Sequence, residues 1–257
     1  DQKYFELNYS FKKKKLNFFL DFFFSSKIKY FNKIKIVICT SNWQKKMADK
    51  SLIFKSAKKI LIPLPLDFNL WSPSKKSSIR KKMNIPQNKK VISFILSHRY
   101  AAKRKGLDYV IRYLENSKRN DLVLLTINCE NLNIKSNKVQ HINIKSTDNI
   151  QERINFYSVS DIFLMPSLIE SFGQTVLEAQ ACNCPVITFK DTGSEDIVSH
   201  QQTGYVANYA CQDDFNKGID WLIDKTFFQD HIRNSAKKKF SYDVIINQYK
   251  KHFQFKD

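Results

Sequence analysis

Residues 161–186 read Asp-Ile-Phe-Leu-Met-Pro-Ser-Leu-Ile-Glu-Ser-Phe-Gly-Gln-Thr-Val-Leu-Glu-Ala-Gln-Ala-Cys-Asn-Cys-Pro-Val, and the fold is decided here. Ile162, Phe163, Leu164 and Met165 form an apolar run of strand length. Pro166 and Ser167 close it with a polar corner, Gly173 supplies a tight turn, and a helix is predicted over 174–182. Pro-Val-Ile-Thr-Phe at 185–189 is a second buried strand, so the stretch is most of a βαβ unit in a parallel sheet. In such sheets ligands sit beyond the carboxyl ends of the strands. A helix that starts there aims unpaired N–H groups and the positive end of its dipole at them. Gly173, Gln174, Thr175 and Val176 are therefore the expected seat of an anion.

Two carboxylates flank that seat, Glu170 in the corner and Glu178 about one turn into the helix. Neither suits the anion, because like charges repel at close range, but both accept hydrogen bonds from hydroxyl groups well. The plainer alternative is that Glu170 favours the helix dipole and that Glu178 lies on a solvated helix surface. A diphosphate with a ribose on one side and a sugar on the other matches the pair.

The run Glu170-Ser-Phe-Gly-Gln-Thr-Val-Leu-Glu178, with Pro166-Ser167 ahead and Ala181-Cys-x-Cys-Pro185-Val behind, resembles the Glu-x7-Glu motif of family 4 retaining glycosyltransferases. The resemblance implies an α/β fold of GT-B type: one complete Rossmann-like parallel-sheet domain that binds a nucleotide-sugar, preceded by a second, here partial, Rossmann-like domain. In that family the position of Glu170 lies against the donor sugar, and that of Glu178 holds the ribose hydroxyls. Ser171, Phe172, Gly173, Gln174, Thr175 and Val176 between them are the expected donor-binding segment.

Working outward, residues 90–96 are read as the first strand of the donor domain. Arg99 and the run Lys103-Arg-Lys-Gly106 follow as a polar loop, and then a helix over 107–116. Arg99 and Lys105 stand at the carboxyl end of that strand, where a diphosphate needs positive charge, and they match the Arg and Lys that clasp the donor phosphates in the family. Lys103 or Arg104 is an alternative clasp, and a basic loop is ordinarily just solvated. Strands are expected over 122–128 and 139–144 and a helix over 150–160; relatives read the base with backbone after His141-Ile142, which makes Ile142 a donor-binding candidate. Residues 189–198 resemble the family's Gly-Gly-x-Pro-Glu/Asp-Ile-Val segment, but Thr192 replaces the first Gly and Glu195 the Pro, which questions a close backbone approach at Thr192. A short strand at 203–206 and helices at 213–224, 230–239 and 242–255 complete the pattern.

Upstream, a strand over 35–40, a helix through residue 49 and a strand over 59–62 precede Pro63, Pro65 and Pro73, which forbid regular structure across 62–73. The Thr-Ser-x-Trp, Ile-Pro-x-Pro-Leu-Asp and Trp-Ser-Pro pattern resembles the end of the family's N-terminal half. The organisation read from the sequence is a partial N-terminal, acceptor-side domain over 1–65, an interdomain linker over 66–88, the nucleotide-sugar-binding domain over 89–240, and a C-terminal helix over 241–257 that crosses back. An N-terminal half needs about 150 residues. The expectation is thus that the chain, which opens on Asp1 with no secretory leader, begins mid-protein and alone is not a complete enzyme. The apolar run at 16–24 is read as a helix, too short for the ~20 residues that span a bilayer.

The 257 residues can build a sizeable core, and five scattered cysteines indicate neither a disulfide scaffold nor a zinc ribbon. A formal charge of +19 asks for an anionic partner or habitat, or reflects a biased Lys-rich composition. The lysines are spread out and no nucleic-acid-binding motif is present, so peripheral contact with an anionic membrane is preferred to nucleic acid. The expected function is retaining transfer of a sugar from a nucleoside-diphosphate sugar to a glycan or lipid-linked acceptor in cell-surface polysaccharide synthesis, at the cytoplasmic face of the membrane. Protein cations are expected to stabilise the leaving group, so no metal and no other cofactor is called for. The rivals are a noncatalytic nucleotide-sugar-binding module and a phosphorylase or epimerase on the same architecture.

Overall fold

The computed structural model describes residues 33–96, 101–145, 148–228 and 230–253; the helix expected over 16–24 lies outside them. Its centre is a six-stranded, all-parallel sheet in the order β5-β4-β3-β6-β7-β8. The strands are β3 (Lys90–Ile95), β4 (Leu122–Ile127), β5 (Gln140–Ile144), β6 (Ile162–Met165), β7 (Val186–Phe189) and β8 (Gly204–Ala207). Two further strands, β1 (Ile36–Cys39) and β2 (Lys58–Leu61), pair in parallel as a separate ribbon. The chain winds outward from β3 to β5, then returns to the other side of β3 with β6. The order therefore reverses between β3 and β6, which is where a crevice opens in a doubly wound sheet.

Strand residues alternate between two helical layers. Phe163 and Met165 join one cluster with Ile154, Phe156 and Tyr157 of α5 (Ile150–Val159) and Val176 and Leu177 of α6 (Gln174–Ala181). Ile162 and Leu164 join the opposite cluster with Val110 and Leu114 of α4 (Leu107–Asn116) and Phe215 and Ile219 of α7 (Gln212–Ile223). Because β6 is covered on both faces, all four of its residues are buried, which is why it reads as an unbroken apolar run.

The segment read as an interdomain linker, 66–88, is more than a connection. Residues 62–73 do lack helix and strand apart from an isolated bridge between Leu66 and Ser241, but α2 (Lys76–Lys82) follows, and Leu66, Phe68, Trp71, Ile79 and Ile85 enter the core of the six-stranded unit. Two anchors hold it. Asp161, at the foot of β6, accepts from Lys76 Nζ (2.6 Å), Arg80 Nη2 (2.8 Å) and the Val91 N–H (2.6 Å). Arg233, in α8 (His231–Phe240), donates to the carbonyls of Phe68, Trp71 and Ala181. The last helix, α9 (Tyr242–His252), buries Ile245 against Ile60 and Ile62 beside β2.

Candidate functional site

The helices after β3 and β6 both start from glycines in the left-handed region, Gly106 at φ 74° and Gly173 at φ 96°, where an L side chain is strained. Each is also forced to be small by a neighbour. A Cβ on Gly106 would lie 2.0 Å from the Pro166 carbonyl oxygen, and one on Gly173 would lie 2.9 Å from Ser194 Cβ. Lys103, Arg104 and Lys105, expected in a loop, form the short helix α3 (Ala102–Lys105) that Gly106 terminates. The Leu168 N–H donates to the Arg104 carbonyl (2.8 Å), which ties the corner after β6 to α3.

That tie brings two expected site residues together. Lys105 Nζ lies 2.7 Å from Glu170 Oε2, and both side chains are largely withdrawn from solvent. Lys103 makes no comparable contact among the described residues, and Arg104 reaches the Ile169 carbonyl instead, so of the three cations Lys105 faces the carboxylate. Arg99, the second expected phosphate clasp, lies outside the described residues, as does His98.

The loop from Glu170 to Gly173 is shaped from two sides. The Gly193 N–H donates to the Glu170 carbonyl (2.7 Å), and a Cβ on Gly193 would lie 2.1 Å from the Ser171 carbonyl oxygen. The close backbone approach questioned at Thr192 is therefore made one residue later. Thr192 itself is buried and donates to the Phe189 carbonyl (2.9 Å). From the N-terminal segment, the Ser41 hydroxyl donates to the Ser171 carbonyl while accepting from the Gln44 N–H (3.0 Å), so it caps α1 (Asn42–Lys50). Asp196 accepts from the Asn42 N–H (2.6 Å) and Nδ2 (3.1 Å). No sequence pattern marks these long-range contacts; only Ser41, a cap residue ahead of a helix, carries a local signal.

No side chain caps the N-terminus of α6, so its first N–H groups and dipole face the crevice. Gln174 and Thr175 are half-buried there, and Gln174 Oε1 is buried with no hydrogen-bond partner among the described residues. Two expected donor-binding residues turn inward instead. Phe172 packs edge-on against Phe240 with centroids 6.0 Å apart, and Val176 is wholly buried with its N–H donated to the Gly173 carbonyl (2.9 Å), so neither presents its side chain to a ligand.

Glu178 is not on a solvated surface, the plainer reading of its position; it is 4% exposed. Its Oε2 accepts from Arg153 Nη2 and from the Tyr157 hydroxyl (3.0 Å), both on α5. Burial pushes the Glu178 carboxyl up and Arg153 pulls it back, whereas burial drives the Tyr157 hydroxyl well above its ordinary value and keeps it a donor. The Arg153 guanidinium also lies over the Trp71 ring, 5.4 Å from its centroid. Sequence reading missed Arg153, whose partner is 25 positions away and leaves no periodic trace.

Ile142 lies in the strand expected over 139–144. It lies inside β5, opposite Leu125, two positions before the strand's end, and packs on the core. Its neighbours His141 and Asn143 point the other way, both onto Thr126 Oγ1 at 2.8 and 2.9 Å. Strand alternation therefore turns Ile142 inward, and the following loop begins at Lys145.

Beside Ser171, on the α1 side, a groove of about 390 Å³ is lined by Val37, Ile38, Trp43, Met47 and Phe54. Among the described residues no helix is long and apolar enough to cross a membrane, and no cluster of three or more His, Cys, Asp or Glu side chains is placed to hold a metal ion.

Comparison with known proteins adds to this geometry. The family model described as glycosyl transferases group 1 matches residues 75–239. An uncharacterised glycosyltransferase of Methanocaldococcus jannaschii is 27% identical over 208 residues, covering 73% of this chain and 51% of the relative. The O-antigen biosynthesis glycosyltransferase WclY of Escherichia coli is 36% identical over 161 residues, covering 60% and 42%. The chain thus spans about half the length of the curated relatives it matches. Among solved structures, Anabaena HepE in complex with UDP-glucose superposes with a TM-score of 0.67 at 18% identity, covering 88% of this chain and 65% of that one; at that identity the likeness speaks for the fold alone.

Proposed function

This chain belongs to the glycosyl transferases group 1, and on that premise we propose that the crevice between β3 and β6 holds a nucleoside-diphosphate sugar for retaining transfer. The observation that carries the reading is the Lys105–Glu170 pair at 2.7 Å, set beside the uncapped start of α6. A diphosphate arriving at the helix terminus takes over Lys105, whose charge then stabilises the departing nucleoside diphosphate. The released Glu170 carboxylate is free to accept from a sugar hydroxyl, which orients the donor rather than attacking it. Glu178 takes the ribose hydroxyls, and a base would meet the loop that follows β5.

Lys105 and the start of α6 make a divalent metal dispensable in this scheme. The acceptor, a glycan or lipid-linked glycan of cell-surface polysaccharide, is placed across Ser171 in the groove beside α1. That assignment draws support from WclY being named for O-antigen biosynthesis and from the capsular polysaccharide glycosyltransferase CapM of Staphylococcus aureus, 30% identical over 110 residues. Contact with an anionic membrane would be electrostatic, given the +19 formal charge. The test is calorimetry of UDP, GDP and ADP, and of their sugar conjugates, in EDTA. Binding of one series member without metal is expected; no binding of any, with or without magnesium, sinks the donor site, and binding only with magnesium sinks the metal-free scheme.

A further inference from the structure

We propose that Arg153 is a positioning residue for the donor ribose: it takes one oxygen of the buried Glu178 carboxylate, braced by Trp71 and Tyr157, and leaves the other oxygen for ribose hydroxyls. The inference rests on the reading above that Glu178 faces the ribose. Glu178 is the one carboxylate buried among the described residues, and it lies one turn beyond the anion seat. A buried carboxylate is costly unless paired, and an apolar side chain of similar size often serves stability as well or better. Its presence there is explained by an acceptor that must be ready for a ligand. Both donors found on it use Oε2. Arg153 is itself held, with its guanidinium over Trp71, and Trp71 lies 6.2 Å from the Tyr157 ring, so three side chains from the linker segment and α5 fix one carboxylate of α6.

Among the described residues the charged groups around Glu178 are few. Arg153 and Tyr157 face it from α5. Along its own helix Cys182 is kept a neutral thiol, pushed by burial up to about 12. Beyond Cys182, Arg233 of α8 is committed to three backbone carbonyls. Removing Arg153 therefore removes the one cation among the described residues that offsets the burial of Glu178. The carboxyl then takes a proton at higher pH and ceases to be an acceptor for one of the ribose hydroxyls.

The experiment measures, by calorimetry, whichever of UDP, GDP and ADP binds, together with its 2′-deoxy counterpart, from about pH 8 to about pH 6. The wild-type chain, Glu178→Gln, Arg153→Gln and Arg153→Lys are compared. The wild-type chain is expected to prefer the ribonucleotide about tenfold throughout, and Glu178→Gln to lose that preference. Arg153→Gln is expected to lose it progressively as pH falls, with Arg153→Lys between. If Glu178→Gln keeps the preference, the ribose reading fails and this proposal with it. If Glu178→Gln loses the preference but Arg153→Gln keeps it at every pH, Arg153 has no positioning role and the donor reading stands. A loss that is equal for ribo and deoxy ligands in Arg153→Gln overturns the proposal in favour of a general structural role. Should Arg153→Gln show no thermal unfolding transition, the same ratio in Arg153→Lys decides.

Discussion

Gly193→Ala is the sharpest perturbation of the donor loop, because nothing about Gly193 depends on charge or on an unusual backbone angle. Its new Cβ would lie 2.1 Å from the Ser171 carbonyl oxygen, 2.3 Å from its carbonyl carbon and 2.7 Å from the Phe172 nitrogen, all of them backbone, and real Cβ contacts essentially never fall under 3.0 Å. No side chain can turn aside to make room, so the loop must retreat by about 1 Å, a displacement that costs on the order of 100-fold in rate when it misplaces reacting groups. The retreat also stretches the Gly193 N–H to Glu170 carbonyl bond of 2.7 Å, worth about 1 kcal/mol. Overpacking of this kind adds about 1–3 kcal/mol, so a loss of roughly 2–4 kcal/mol is expected, which for a domain of this size lowers Tm by on the order of 5–15 °C. Differential scanning fluorimetry and nucleotide calorimetry read the two effects separately. An alanine variant with wild-type Tm and wild-type nucleotide affinity would refute the argument that this contact shapes the site.

Three other outcomes are expected. Asp161→Ala strips the carboxylate from Arg80, which is 4% exposed. Because Arg80 keeps carbonyl partners at Pro86, Gln87 and Lys89, the cost should be about 2–4 kcal/mol rather than the top of the range for a broken buried pair, read as a lower urea midpoint. Lys105→Met should weaken the nucleoside diphosphate by about 1.5–3 kcal/mol while leaving Tm within a few degrees; calorimetry showing undiminished affinity would remove Lys105 from the site. Arg119 holds the Asp121 and Asp224 carboxyls below 3.8, so their contribution is present above that pH and is lost as pH falls below it. Arg119→Gln should accordingly be less stable than the wild-type chain near neutral pH, with the gap closing in acid, and a gap that stays constant in urea titrations down to about pH 3 would contradict the assignment.

The architecture was legible because its signals are local. The apolar run from Ile162 to Met165 lies where the sequence placed it, and α6 starts at Gln174 because Gly173 takes an angle that other residues resist. Glu170 and Lys105 were found by position at strand ends, and the structure joins them. What escaped notice depends on tertiary contact. The helix α3 is only four residues long and is held by the bond to Leu168 rather than by an amphipathic pattern. The reading of 66–88 as a linker recognised the prolines but not that Phe68 and Trp71 face a core formed by strands far along the chain. The strand over 139–144 that holds Ile142 was legible, but the hydrogen bonds of His141 and Asn143 to Thr126, which turn Ile142 inward, were not. The turning of Glu178 toward Arg153 could not be seen at all, since no spacing rule relates residues on two helices.

The contacts of Ser41 and Asn42 with Ser171 and Asp196, 130 and 154 positions away, have a bearing on the order in which the molecule is assembled. During synthesis the β1–α1–β2 segment leaves the ribosome before the six-stranded unit, and the carboxylate that completes the start of α1 follows roughly 8–30 s later at ordinary elongation rates. Among the described residues, Ser41 alone finishes the first turn of that helix until the six-stranded sheet exists, and helices of this length are marginal alone. The contacts of this segment with Ser171 and Asp196 therefore form only once the later-translated sheet unit is present. Amide exchange should register this as a unit that opens below the global unfolding free energy, with the amides of α1 exchanging sooner than those of β3 and β6.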